Sequence, residues 1–226
     1  MDLSVVVPVY NEKETIEEVI SRVQALPLEK EIILVDDNST DGSTEILKKY
    51  QEERNIKVVF FSENRGKGIA LREGFEHVSG LYTVVQDGDL EYDPRDLVKM
   101  YEFAREKNAD VVYGNRFWEE GKPEGMAWGN YIFNLVLAKL ATVLYGRKIN
   151  DAATCYKMFR TEFLKSLSLE CRGFEFCSEV TAKSRLRGKR IYEVPISYTP
   201  RTVCEGKKIR PWHALDFFWA LLKYRL

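Results

Sequence analysis

Two carboxylates one residue apart, Asp87 and Asp89, flank a single glycine in Gln86-Asp87-Gly88-Asp89-Leu90-Glu91-Tyr92-Asp93-Pro94. Gly88 removes side-chain bulk between them, so backbone and carboxylates can come close to a ligand. The chemistry this suggests is a divalent cation held against a diphosphate. Asp and Gly are also common turn residues, so the tripeptide alone fits a tight turn equally well. Its setting favours a site. The apolar run Leu81-Tyr82-Thr83-Val84-Val85 precedes it and reads as a buried strand. Leu97, Val98, Tyr101 and Phe103-Ala104 follow in a helical pattern, with Asp93 as expected N-cap and Pro94 at the first helical position. The acids therefore fall at the carboxyl end of a strand, where open α/β sheets bind ligands.

The elements that must carry such a site are legible on either side. Leu3–Val9 is a short, β-branched strand ending in Pro8-Val9-Tyr10-Asn11-Glu12, and a helix follows with Ile16, Val19, Ile20, Val23 and Leu26 on one face. Glu31–Val35 is a second strand running into Asp36-Asp37-Asn38-Ser39-Thr40-Asp41-Gly42, with a helix over Ser43–Tyr50. Ile56–Phe61 is a third, followed by Asn64-Arg65-Gly66-Lys67-Gly68 and a helix through His77; Asp110–Arg116 is the fifth. Alternating strands and helices predict an α/β fold with a Rossmann-like, mostly parallel sheet covered by helices on both faces. Tyr10, Glu12, Asp37, Lys67 and the Asp87/Asp89 pair then share one edge of that sheet. The first strand lacks a Gly-x-Gly-x-x-Gly turn, and the chain has no Gly-x-x-x-x-Gly-Lys-[Ser/Thr] cradle. Any phosphate must be held by metal and basic side chains.

At 226 residues the chain is long enough for one α/β domain with a sizeable core. It reads as a single domain, 1–226, with a nucleotide half (1–116) and an acceptor half (117–226) that is more apolar, aromatic and irregular. A net charge of −1 gives no global pull toward nucleic acid. Four cysteines without Cys-x-x-Cys spacing and only two histidines make a zinc site or disulfide framework unexpected. The start leads straight into a strand without a signal-peptide pattern, so the cytosol is the expected compartment.

Val5–Glu12, Val35–Gly42 and Gln86–Pro94 together resemble the family 2 glycosyltransferases of GT-A fold, and among them the dolichol-phosphate mannose synthases and related polyprenyl-phosphate enzymes. That resemblance implies nucleoside-sugar contacts at Pro8, Tyr10, Glu12, Val35 and Asp37, joined by Lys67, Asp87, Gly88 and Asp89. It implies Mg²⁺ or Mn²⁺ on Asp87, Asp89 and Glu91, the last standing where relatives often carry Gln. It also implies basic groups on the reacting phosphates: Arg116 at the end of the fifth strand, and Arg201 with Lys207 on a loop that closes over the diphosphate. Asp89, Arg116, Arg201 and Lys207 are thus the expected catalytic set.

The acceptor half resembles this group over Asp151–Arg160, Gly173–Lys183 and Glu193–Tyr198. The resemblance implies that many enzymes of the family deprotonate a sugar hydroxyl with a Glu-Asp pair, whereas this chain offers Glu175 and Glu179 without an adjacent pair. Structural pairing of either with Lys183 or Arg187 is an equal alternative. A phosphate acceptor needs no base, which favours a lipid phosphate. The apolar stretches Trp128–Tyr145 and Pro211–Leu226 fall short of the roughly 20 apolar residues of a membrane span and suit an interfacial position, with core packing or a dimer contact as an equal alternative. C-terminal amphipathic helices and peripheral association with the cytosolic face of a membrane are therefore expected. Lys122 is a weaker candidate for the acceptor phosphate. The expected reaction is inverting, metal-dependent transfer of mannose or glucose from GDP-mannose or a UDP-sugar to dolichyl or polyprenyl phosphate. Transfer to a sugar hydroxyl of a polysaccharide, glycolipid or glycoprotein is the alternative, followed by a non-catalytic sugar-nucleotide-binding subunit. A nucleotidyltransferase would need a Gly-rich loop after the first strand, which Pro8–Glu12 is not.

Overall fold

The computed structural model describes residues 1–118, 121–201, 208 and 213–225. The strands are β1 (Leu3–Val9), β2 (Lys30–Asp36), β3 (Ile56–Phe60), β4 (Tyr82–Val85), β5 (Val111–Asn115), β6 (Lys157–Arg160) and β7 (Ile191–Pro195). The helices are α1 (Ile16–Gln24), α2 (Ser43–Lys48), α3 (Lys67–Glu76), α4 (Asp96–Glu106), α5 (Trp128–Tyr145), α6 (Thr161–Ser166), α7 (Phe176–Leu186) and α8 (His213–Lys223). The strands form one sheet in the order β3-β2-β1-β4-β6-β5-β7. All pairings are parallel except the two made by β6, which runs antiparallel between β4 and β5. Strands from both halves of the sequence thus share one sheet.

Period-two alternation along β1 explains the layering. Val6 faces a core shared with α3, α5, α7 and α8, whereas Val5 and Val7 face a core shared with α1 and α4. The chain winds from β1 out to β3 on one side and returns to β4 on the other. The crevice beyond the carboxyl ends of β1 and β4 is therefore the topological switch point, where such sheets bind ligands.

Several boundaries differ from the sequence reading. The regular part of α4 starts at Asp96, two residues later than expected. Asp93 still caps the lead-in turn, its carboxylate accepting the Arg95 N–H at 3.0 Å. The fifth strand, β5, does not adjoin β4, because β6 takes that place. Among the described residues no helix is long and apolar enough to cross a membrane. α5 buries Leu137, Ala138 and Ala141 and exposes Trp128, Ile132, Leu135, Val136 and Val143. It is therefore apolar outside as well as inside, unlike an ordinary amphipathic surface helix. α8 buries Phe217, Ala220 and Leu221 and exposes Leu215 and Trp219. Pro211 and Trp212 lie outside the described residues.

Candidate active site

A cavity of about 540 Å³ opens at the switch point. The ends of β1, β2 and β4 supply its polar wall, with Tyr10, Glu12, Asp37, Asp87, Asp89 and Glu91 among the residues facing it. Met126, Asn130, Phe133, Asn134, Phe174 and Phe217, from the segment before α5, from α5 itself, from the segment before α7 and from α8, supply a second wall that is mostly apolar. Pro8, Lys67, Gly88, Arg116 and Arg201 also line it.

Each acid on the polar wall is held by its own partners. Lys67, the first residue of α3, reaches across to Asp87 at 2.5 Å. Burial pushes the Asp87 carboxyl up, but the Lys67 ammonium, a bond from Cys155 and the Arg201 charge together hold the acid below its usual range. Asp89 has the opposite balance. Burial, then repulsion from Asp87 and Glu91, raises its pKa to about 7 despite its ion pair with Arg201. Gly88 carries the loop past Glu12, whose Cγ would lie 3.3 Å from a Cβ added there. The Gly88 carbonyl also accepts from Thr15 Oγ1 at 2.8 Å, which ties the loop to the start of α1. Asp37 accepts the N–H groups of Arg65 and Gly66 at 2.7 and 2.9 Å, so it fixes the loop that delivers Lys67. Gly66 is at φ +97°, and an added Cβ would meet the Arg172 carbonyl oxygen at 2.4 Å. The Gly66-x-Gly68 pair thus serves close packing of α3 on the 171–173 segment, with Gly68 N–H donating to that same carbonyl at 2.9 Å.

Arg201 bridges two acids. Its Nη1 donates to Glu12 at 2.9 Å, and its Nη2 reaches both Glu12 and Asp89. Lys208 pairs with Glu12 and also donates to the Asn11 carbonyl at 3.2 Å. Lys207 lies outside the described residues.

Some expected site residues are placed elsewhere. The Val35 side chain is fully buried in the core beneath the cavity and is not part of its lining. Among the described residues no group of three His, Cys, Asp or Glu side chains is placed to hold a metal ion, and Glu91, expected as a ligand, lines the cavity with Asp87 and Asp89. Glu91 also anchors the segment that carries Arg201. Its carboxylate accepts the Arg201 N–H at 2.7 Å and the Tyr198 hydroxyl at 3.2 Å, and its carbonyl accepts the Thr199 N–H at 2.8 Å. Arg116 lines the cavity, but its guanidinium already clasps the fully buried Asp151 through Nε at 2.7 Å and Nη2 at 2.8 Å. Glu179 is buried at the foot of α7, where it accepts from Lys183 at 2.6 Å, from the Tyr224 hydroxyl and from two backbone N–H groups. Glu175 caps the backbone of Arg172 and Gly173. Neither lines the cavity. Lys122 donates to the Met126 carbonyl at 2.8 Å.

Sequence reasoning missed Asp151, Tyr92 and Cys155. Tyr92 stacks on Tyr156 with ring centroids 4.6 Å apart and accepts the Cys155 N–H at 3.1 Å, joining the acidic loop to the 151–156 segment. Asp151 opens a segment already noted for its resemblance, and an acid there could have been matched to Arg116. The pairing of β6 with β5, which brings them together, has no local signal.

Two carboxylates on one wall fit a divalent cation by their hard oxygen donors, provided a diphosphate and water supply the remaining ligands. The raised Asp89 pKa reflects burial first and then repulsion from Asp87 and Glu91, and a cation would offset both.

Residues 4–168 match the sequence profile of Glycosyl transferase family 2, and the chain belongs to that family. It is 31% identical over 216 residues to the dolichol-phosphate mannosyltransferase of Pyrococcus furiosus, covering 92% of this chain and 59% of that protein. It is 32% identical over 203 residues to the low-salt glycan biosynthesis hexosyltransferase Agl6 of Haloferax volcanii, covering 88% and 48%. The chain thus spans about half of the length of these curated relatives. Its fold matches that of glucosyl-3-phosphoglycerate synthase from Mycobacterium tuberculosis, solved with Mn²⁺, UDP-glucose and glycerol 3-phosphate. The TM-score is 0.74 at 21% identity, covering 99% of this chain and 79% of that one.

Proposed function

We propose that the protein is an inverting glycosyltransferase that moves a hexose from a nucleoside diphosphate sugar to a polyprenyl or dolichyl phosphate. The observation that carries the reading is the two-walled cavity. Its charged wall suits a nucleoside diphosphate sugar, and its largely apolar wall suits a lipid-linked acceptor. The named relatives, a dolichol-phosphate mannosyltransferase and a hexosyltransferase, support the same class.

In this reading Asp87 and Asp89 would hold Mg²⁺ or Mn²⁺. The cation, when bound, offsets charge developing on the leaving nucleoside diphosphate. Arg201 moves from the acids to the diphosphate oxygens as these arrive, since an anion competes for the guanidinium. Arg116 keeps its clasp on Asp151 and offers Nη1 to the acceptor phosphate. A phosphate oxygen attacks the anomeric carbon from the face opposite the leaving group, so the new bond forms as the old one breaks and configuration inverts. No carboxylate need take a proton, because the acceptor is already ionised. The positions of Glu175 and Glu179, both engaged in structural bonds outside the cavity, support a base-free reaction. The exposed apolar faces of α5 and α8 beside the apolar wall support peripheral contact with the cytosolic face of a membrane.

The test is a screen of GDP-mannose and UDP-glucose with Mn²⁺ against polyprenyl phosphate and against oligosaccharide hydroxyl acceptors. Transfer to the phosphate alone is expected. Transfer only to hydroxyls would replace this reading with the alternative acceptor class.

A further inference from the structure

We propose that Lys157, which does not line the cavity, is the positioning residue for Arg116: its ammonium fixes the 151–155 turn, whose Asp151 orients that guanidinium toward the acceptor phosphate. The inference rests on the reading of Arg116 as a contact for an acceptor phosphate. Lys157, the first residue of β6, is fully buried. Among the described residues no carboxylate lies within ion-pair distance of its ammonium. The ammonium donates to the Ala152 carbonyl at 2.9 Å and to the Thr154 carbonyl at 2.6 Å. It also sits 4.0 Å from the centroid of the Tyr113 ring on the neighbouring strand β5. A buried cation loses its hydration, so a neutral side chain of similar length would fill this space with less desolvation. What a neutral hydrocarbon chain cannot do is grip two carbonyls two residues apart.

That grip shapes the turn. Asp151 Oδ1 accepts the Thr154 N–H at 3.0 Å and also takes Arg116 Nη2 at 2.8 Å. Thr154 is therefore held at its carbonyl by Lys157 and at its N–H by Asp151, so a shift of the turn reaches the clasp on Arg116. Glu193 of β7 accepts the Asp151 N–H at 2.9 Å, which fixes the start of the turn but not its far side. Ala153, between the two gripped carbonyls, lines the cavity. The ring beneath the ammonium is itself held, since the Tyr113 hydroxyl bonds Thr181 Oγ1 of α7 at 3.0 Å. The charged wall is secured by other contacts, Lys67 on Asp87 and Thr15 on the Gly88 carbonyl. Loss of the Lys157 grip therefore displaces Arg116 and spares the donor side.

The experiment measures steady-state transfer with GDP-mannose or UDP-glucose, whichever the acceptor screen selects, and with polyprenyl phosphate, each varied in turn. It compares the natural chain, Lys157→Met and Lys157→Gln, with circular dichroism as the check on folding. In Lys157→Met the KM for polyprenyl phosphate is expected to rise roughly tenfold while the KM for the donor stays within about twofold, the signature of one displaced contact. Lys157→Gln, whose amide still reaches one carbonyl, is expected to fall between the two and carries the test if the methionine variant does not fold. A folded variant in which both KM values rise together overturns the proposal, because a general loosening acts on both substrates. Loss of the fold in both variants overturns it as well, since Lys157 would then serve folding alone. An active natural chain whose KM for polyprenyl phosphate is unmoved in the folded variants sinks this proposal and leaves the acceptor reading standing. A natural chain that transfers nothing to polyprenyl phosphate removes the acceptor reading, and this inference with it.

Discussion

The two walls of the cavity are built in different ways. The charged wall comes from turns that directly follow β1, β2 and β4, so each functional side chain lies within a few residues of the strand that positions it. The apolar wall comes from the segment before α5, α5 itself, the 151–155 segment, the loop before α7 and α8, elements far apart in sequence and joined through β6 and helix packing. The charged wall is also internally neutralised. Lys67 answers Asp87, and Arg201 with Lys208 answers Glu12 and Asp89. On the apolar side one ion pair, Arg116 with Asp151, is buried deeply and joins β5 to the segment before β6. The lesson is a division of labour, in which the first wall carries charge that ligands exchange and the second carries shape and a fixed clasp.

The sharpest way to break this division is on the charged wall. Asp87→Ala or Asp89→Ala is expected to reduce transfer roughly 10³-fold, the scale for removing an electrostatic stabiliser of the reacting centre, while the fold persists. Steady-state turnover together with circular dichroism checks both halves of that statement.

Substitution on the other wall acts on stability first. Asp151→Ala leaves Arg116 buried without its clasp and is expected to cost about 3 kcal/mol, read as a lower midpoint in urea unfolding. Unchanged stability would mean the pair is not the fixed element described here.

The smallest effect is expected at Glu175. Glu175→Gln keeps an acceptor for the Arg172 and Gly173 N–H groups and should leave transfer unchanged. Loss of activity with hydroxyl acceptors only would restore it as a base.

The same contrast explains what could be read in advance. β1 through β4 and the placement of Tyr10, Glu12, Asp37, Lys67, Asp87 and Asp89 at one sheet edge follow from local apolar runs and the residues after them. Lys67 was visible as a strand-end base, though its pairing with Asp87 was not. β6 escaped notice because Lys157–Arg160 is short and half charged, and its antiparallel insertion is fixed only by packing. That insertion moves β5 one strand outward and brings Asp151 to Arg116. Glu91 has a second role that its position in the sequence does not signal. A third acid near two others reads as a ligand, and its carboxylate also accepts from Tyr198 and the backbone of Arg201, partners more than a hundred residues away. Val35 followed the family pattern by position, but alternation along β2 turns its side chain into the core.

Calorimetric titration of GDP-mannose and of UDP-glucose, each with and without Mn²⁺, tests the central claim most directly when run on the natural chain and on Asp89→Ala. The account predicts binding of at least one donor that is strengthened by Mn²⁺ in the natural chain and loses that dependence in Asp89→Ala. Donor binding that is equally tight without metal, or a metal dependence that survives in Asp89→Ala, would contradict it.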